Sequence, residues 1–163
     1  MTNNTLAFIA LCNEFCGAVE HCAEADRDTF IDTMLRLLPR IYISATDLTG
    51  DLTGAADGYI AESLTEDYYD SMRRAVETVM GEDDTYLDVF EDEMKFSDTP
   101  IAATVSEGVA DLFQVFYNYI ETVRDATDDL IADATATVRD DFATYWSRRL
   151  CNTLRAINAV KYN

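Results

Sequence analysis

The sequence is poor in residues that interrupt helices and in residues that build common catalytic centres. It contains 2 prolines and 6 glycines in 163 residues, so long helices can form with few forced ends. Its single histidine, His21, excludes the di-iron bundle pattern, which needs two Glu-x-x-His motifs. The sequence has no Walker or dinucleotide-binding fingerprint, which excludes the familiar phosphate-binding loops.

Long hydrophobic runs are also lacking. No apolar run reaches the roughly 18 residues that a membrane-spanning helix needs. Residues 6–12 form a run of 7 apolar residues, but no lysine or arginine precedes it, so it does not have the form of a signal peptide. We therefore expect a cytoplasmic protein whose 4 cysteines remain thiols.

Positive charge is scarce: lysine occurs only at Lys95 and Lys161, and the formal net charge is -19. All 31 acidic residues lie within residues 1–141. A surface this negative repels phosphate backbones and anionic lipids, so we expect no direct nucleic-acid binding and no membrane binding. It attracts basic proteins instead, and a protein partner is therefore expected.

Apolar residues recur every three or four positions through most of the chain, which predicts one helix after another. The predicted fold class is all-α: a single-domain helical bundle over residues 1–163 with about five to six helices, a kinked second helix and a long C-terminal helix. Caps and helix breakers set the expected boundaries. The predicted helices run from Thr5 to Glu24, from Asp26 or Asp28 across Pro39, from Thr65 to Gly81, from the capping box Thr104–Glu107 to Arg124, and from Thr127 to about Val160.

Three further local expectations complete the fold prediction. Pro39 removes a backbone hydrogen bond, so the second helix should kink or restart there. Residues 46–58 contain 3 of the glycines and are predicted to form a loop. Residues 83–91 are predicted to form a short helix.

The C-terminal helix carries the only tryptophan together with a group of arginines. One helical stripe is predicted to face the core, which makes the tryptophan a packing anchor; its members are Phe142, Trp146, Leu150, Thr153, Leu154, Ile157 and Val160. Arg149 lies at the edge of this stripe and is expected to pair with an acid of a neighbouring helix. Arg148 and Arg155 lie on the opposite side, where we expect them to be exposed and to form a candidate patch for an anionic partner.

The residues that could carry chemistry do not form a recognisable site. Cys12 and Cys16 share a helix face, but His21 and Cys22 point in other directions, so we predict no metal site and no cofactor. Carboxylates do occur at helical spacing, namely at Glu62, Glu66, Asp70, Glu107 and Asp111. Acid–base or magnesium chemistry would need them to converge in a partly buried site, and a solvated helix face is the favoured interpretation.

Three segments together resemble a known family. They are LTEDYYDSMRRAVETVMGEDDTYLDVFED (64–92), FSDTPIAATVSEGVADLFQVFYNYI (96–120) and DDFATYWSRRLCNTLRAINAVKY (140–162). The resemblance is to DUF5063, a family of uncharacterised all-helical bacterial proteins from Bacteroides and relatives, and it implies a fold, a size and a bacterial cytoplasmic origin but no chemistry. Two positions depart from the family's usual residues: Phe113 replaces a tyrosine and Ser147 replaces a glycine.

The lack of a catalytic constellation favours a non-enzymatic acidic helical binding or adaptor protein that acts through protein–protein contacts. The alternative is a small-ligand binder or an enzyme that uses a carboxylate and tyrosine site between helices. Self-association through a helix face is a third hypothesis, because 48% of the residues are hydrophobic.

Overall fold

Six α-helices make up most of the described part of the chain, which comprises residues 1–48, 59–88 and 101–163 of the computed structural model. The helices are α1 (Asn3–Glu20), α2 (Arg27–Asp47), α3 (Glu66–Met80), α4 (Val105–Val123), α5 (Asp128–Asp141) and α6 (Ser147–Tyr162). A π-helical turn, Phe142–Trp146, joins α5 to α6 without a break. The predicted all-α fold and long C-terminal helix are confirmed.

Side-chain caps fix where five of these helices begin. Each capping oxygen accepts a hydrogen bond from the backbone N–H three residues later and so satisfies one of the donors left over at a helix start. The capping residues are Thr2, Asp26, Thr65, Thr104 and Thr127. The first helix ends at Glu20, earlier than predicted, and a 3₁₀ turn, Cys22–Glu24, follows it.

The second helix passes through Pro39 without ending. Because proline has no N–H, the carbonyl of Leu35 lacks its usual helical partner. The predicted restart at Pro39 is therefore wrong, and the predicted kink stays a prediction. Thr46 and Asp47, predicted to begin a loop, belong to α2 instead. The rest of that predicted loop, apart from Leu48, lies outside the described residues.

The short helix predicted for residues 83–91 is wrong in its first part. A 3₁₀ turn, Gly81–Asp84, leads into strand β1 (Thr85–Leu87), which pairs antiparallel with β2 (Ala102–Thr104). The buried Asp84 carboxylate accepts hydrogen bonds from Ser106 N at 2.8 Å and from Ser106 Oγ at 2.7 Å. These bonds tie the segment to the start of α4. Residues 89–91 lie outside the described residues.

The core is built around α4, which contacts α1, α3, α5 and α6. The largest fully buried side chains of the core include Trp146, Tyr119, Phe8, Phe15, Phe113 and Phe116. Trp146 is thus the packing anchor that the sequence predicted. None of the helices in the described ranges combines the length and the apolar character that crossing a membrane requires.

Candidate functional site

Asp111 of α4 lies where α3, α4 and α6 meet. Its Oδ1 accepts a 2.6 Å hydrogen bond from the phenol of Tyr69, and its Oδ2 lies 3.6 Å from Nε of Arg149. The Asp111 side chain is 19% exposed, against 43% for Arg149. A neutral donor and a cation on opposite oxygens hold this carboxylate in one orientation. The prediction that Arg149 pairs with an acid of a neighbouring helix is confirmed.

Local structure places each member of this cluster. Tyr69 stands near the start of α3, which is fixed by the Thr65 cap. Arg149 lies shortly after the π-helical turn. Such a turn contains one residue more per hydrogen-bonded ring than an α-helical turn, so it changes the direction of the side chains that follow it. Tyr145, inside that turn, has its ring centroid 5.9 Å from the guanidinium carbon of Arg149. Turns of this kind frequently occur at functional sites.

The two phenols of the cluster are held in their neutral form. Burial, and then the hydrogen bond to Asp111, raise the pKa of Tyr69 above its ordinary value. Burial and the Asp111 charge also raise the pKa of Tyr145, and Arg149 offsets this only in part. Both phenols therefore stay protonated near neutral pH and do not serve as bases. Tyr69 donates its hydrogen bond to Asp111, whereas Tyr145 accepts one from Arg149.

The raised pKa of Tyr69 predicts a loss of stability in alkali. The unfolded chain releases this proton above about pH 10, while the folded chain keeps it, so the free energy of unfolding falls as the pH rises. In Tyr69→Phe the fall should be shallower, by up to about 1.4 kcal/mol per pH unit. Urea unfolding at a series of alkaline pH values measures it. Tyr59 is 78% exposed, so Tyr59→Phe is the control, and equal slopes in both variants would contradict the assignment.

A groove opens between α3 and α4 beside the cluster, with a volume of about 380 Å³. Its lining residues are Leu64, Thr65, Glu66, Tyr69, Asp70, Asp111 and Gln114. Asp70 forms loose ion pairs with Arg73 and Arg74, each at 3.7 Å, which is too long for a hydrogen bond. Among the described residues Glu66 has no ion-pair partner. The groove therefore presents three carboxylates and suits an ammonium or guanidinium group.

The interpretation of these acids as lying on solvated helix faces is wrong for Asp111, whose side chain is 19% exposed. Glu66 and Asp70 come from α3 and Asp111 comes from α4, so the set converges from two helices. The periodicity of α3 predicts an inward Tyr69 without marking it as part of a site, and no sequence pattern assigns a role to Tyr145. For Asp111 the sequence did offer a signal, because this aspartate lies within an otherwise apolar stretch of α4.

Comparison with known proteins places the chain in a family. Residues 1–163 match the family described as Domain of unknown function (DUF5063). The chain belongs to the DUF5063 family. It is also similar to the crystal structure of protein BF1032 from Bacteroides fragilis, with 28% identity and a TM-score of 0.81 over 99% of this chain and 94% of that chain. No curated protein matches it.

In this DUF5063 chain, Phe113, the position where the resemblance leads us to expect a tyrosine, lies in the core. Phe113 is fully buried, and its ring stacks on Tyr117 with the centroids 5.4 Å apart. Phe113 does not line the groove. The hydroxyl that a tyrosine would add there is therefore not part of the site formed by Asp111.

The two arginines predicted to form an anionic-partner patch differ in their surroundings. Arg148 is exposed and makes no ion pair with any described residue. Arg155 donates from Nη2 to the Leu87 carbonyl at 2.7 Å, and its guanidinium carbon lies 5.8 Å from the ring centroid of Tyr86. Arg148 and Arg155 are seven positions apart, which corresponds to about 10 Å along the axis of an α-helix. The patch of Arg148 and Arg155 stays a prediction.

The cysteines and the histidine of the first predicted helix are divided between the core and the surface. Cys12, Cys16 and Cys22 are buried, whereas the His21 side chain is 71% exposed and its Nδ1 lies 3.6 Å from Glu24 Oε2. Burial raises the pKa of the Cys12 and Cys16 thiols, which keeps them protonated and unreactive. Within the described ranges, no cluster of three or more His, Cys, Asp or Glu side chains has an arrangement that could hold a metal ion.

Proposed function

We propose that this DUF5063 protein is a non-enzymatic binding protein that holds a basic segment of a protein partner in the groove between α3 and α4. The observation that carries the proposal is the convergence of Glu66, Asp70 and Asp111 on one open cavity whose lining, among the described residues, has no cationic side chain. A lysine or arginine of the partner would place its charge among these carboxylates. The side chain of Gln114 adds a further hydrogen-bonding group at the same place.

The size and charge of the groove support a side chain as its occupant. Its volume of about 380 Å³ is near the lower end of the roughly 300 to 1,000 Å³ that small-molecule sites occupy. One or two partner side chains fit in such a space. The net charge of -19 attracts a basic protein over a longer range and speeds the encounter.

The chemistry of the lining favours binding over catalysis. The phenol of Tyr69 stays protonated, and the hydroxyl of Thr65 accepts the hydrogen bond that caps α3. His21 does not line the groove. The proposal places the protein in the bacterial cytoplasm, which the four unpaired cysteines and the Bacteroides fragilis neighbour support.

Neutralising the groove is expected to weaken the binding of a basic peptide. The probe is a short synthetic peptide that alternates arginine with glycine, titrated by calorimetry at low salt. The variant Glu66→Gln/Asp70→Asn removes two carboxylates from the groove and should lower the affinity roughly tenfold or more.

The matched control is Asp128→Asn/Asp129→Asn, which removes the same charge from the start of α5. Because both variants have the same net charge, long-range attraction changes equally in both. An equal loss of affinity in the two variants would show that only bulk charge binds the peptide, and unchanged affinity in the groove variant would also refute the proposal.

The alternative is a small cationic ligand at the same site, bound or transformed by the carboxylate and tyrosine pair. The contact between Tyr69 and the partly buried Asp111 favours it, because such a pair can orient an amine. The same calorimetry with a diamine distinguishes the two functions. Diamine binding that Asp111→Asn abolishes, with no peptide binding, would replace the first proposal by the second.

A further inference from the structure

The outer face of the α1–α2 hairpin differs in charge from the rest of the molecule. In a chain with a net charge of -19, the helix α1 carries only Glu14 and Glu20 as charged residues, and Glu20 accepts a hydrogen bond from Tyr68 at 2.6 Å. The exposed side of α1 consists of Asn3, Leu6, Ala7, Ala10, Asn13 and Glu14. The neighbouring exposed positions of α2 include Arg36, Arg40 and Ile43. Two exposed acids lie on the same stripe of α2, namely Asp32, which pairs with Lys161 of α6, and Asp47 at the end of the helix. We call these residues the hairpin face.

Three charged side chains of the hairpin face lack an ion-pair partner within the described part of the molecule. Neither Glu14 nor Arg36 nor Arg40 makes an ion pair with any described residue, although α2 does use Arg27 to pair with Asp83. Arginines without partners are unexpected in a chain that has 31 acids and 12 bases. The face also exposes apolar area, since Leu6 is 51% exposed and Ile43 is 60% exposed.

The hairpin register puts the opposite charges at one level. The side chain of Asn4 donates from Nδ2 to the Asp47 carbonyl at 3.0 Å, so the start of α1 lies beside the end of α2. Ten residues along α1 from Asn4 is Glu14, and ten residues back along α2 from Asp47 is Leu37, so these two residues lie level with each other. Arg36 and Arg40 are then both within about 5 Å of Glu14 along the helix direction.

We propose that the hairpin face docks against the same face of a second copy of this chain, a role separate from the groove. A two-fold axis parallel to the helices lays α1 of each copy over α2 of the other. Glu14 then faces Arg36 and Arg40 of the second copy, and the reverse contact forms by symmetry, so the face is self-complementary in charge.

Packing on this face is consistent with a helix-on-helix contact. Leu6 and Ile43 supply apolar contacts, and Ala7 and Ala10 let the backbones approach. Gly17, further along α1, has open space where a side chain would be. Each copy carries a charge of -19, so the copies repel one another overall, and the attraction between Glu14 and the two arginines offsets this repulsion at the hairpin face.

The area is sufficient for a reversible dimer. A helix of 21 residues, the length of α2, is about 30 Å long. Two such helices packed about 10 Å apart offer a face of about 600 Å², close to the roughly 800 Å² per partner in standard interfaces. The dimer is therefore expected to dissociate on dilution.

Sedimentation equilibrium over a wide concentration range tests the dimer. The wild-type mass should rise from 18.3 kDa towards twice that value. Glu14→Arg and Arg40→Glu should each weaken the dimer roughly tenfold or more, because each places like charges opposite one another.

An equimolar mixture of the two variants should regain the wild-type mass. In the mixed dimer, the arginine introduced at position 14 of one copy faces the glutamate introduced at position 40 of the other. The second contact of the same dimer keeps an unchanged Glu14 opposite an unchanged Arg40. Opposite charges therefore meet at both contacts, which neither variant achieves with itself.

The matched control is Asp129→Arg, a charge reversal on α5, which should leave the mass unchanged. A wild-type chain that stays at 18.3 kDa at every concentration overturns the proposal. So does a mixture that sediments as two monomers, because a dimer through any other surface would not depend on this pair of charges.

Discussion

The Trp146→Ala variant is expected to lose about 3 to 5 kcal/mol of unfolding free energy. Trp146 is fully buried, and its ring centroid lies 4.5 Å from that of Phe142 and 5.1 Å from that of Phe116. Its Nε1 donates to the Val138 carbonyl at 2.9 Å. Alanine would leave a cavity and remove this hydrogen bond. Urea unfolding followed by far-ultraviolet circular dichroism measures the loss and does not depend on the indole fluorescence that the substitution removes.

Two further substitutions test whether burial is the cause. Trp146→Phe keeps much of the apolar volume but has no N–H, so it should cost less, about 1 to 3 kcal/mol. Tyr145→Ala changes the adjacent side chain, which is 39% exposed, and should cost less than Trp146→Ala. Equal losses for Trp146→Ala and Tyr145→Ala would contradict the role of Trp146 as the packing anchor.

The inward position of Trp146 was predictable from the sequence, but the π-helical turn that contains it was not. A core-facing stripe as wide as the one from Phe142 to Val160 tolerates one extra residue in a turn, so its periodicity does not reveal the change. The turn nonetheless decides where Tyr145 and Arg149 lie relative to α4.

The helix starts were predictable because they depend on local bonds. Thr65, Thr104 and Thr127 each bond to a backbone N–H three residues away, within the reach of a short sequence window. The segment after Gly81 was mispredicted because its partners are distant. Thr85 pairs with Thr104, and Asp84 bonds to Ser106, 22 residues later.

The members of the groove were visible in the sequence, but their convergence was not. The spacing of Glu66 and Asp70 shows that they share one side of α3. Only the packing of α3 on α4 brings Asp111 to the same cavity and gives the Tyr69 phenol its acceptor. The general expectation for Arg149 was correct because an arginine at the edge of a buried stripe needs a nearby acid, yet the sequence offered no means of choosing Asp111 as that acid.

The Gly108→Ala variant is expected to destabilise the protein by about 1 to 3 kcal/mol, although alanine favours a helix over glycine by about 1 kcal/mol. A Cβ atom at Gly108 would lie 2.2 Å from Thr153 Oγ1. Thr153 is 1% exposed, so its side chain has little room to move away. Gly108 therefore permits the close approach of α4 and α6, and urea unfolding measures the cost of filling it.

A double-mutant cycle with Thr153→Ala separates this clash from other effects of the glycine. The Thr153 hydroxyl is buried without a hydrogen-bond partner among the described residues, so removing it relieves an unsatisfied polar group as well as the obstruction. In the Thr153→Ala background the helix preference of alanine is no longer opposed. Gly108→Ala should then stabilise the protein by up to about 1 kcal/mol. A cost that is the same in both backgrounds would show that Gly108 is required for some reason other than its contact with Thr153.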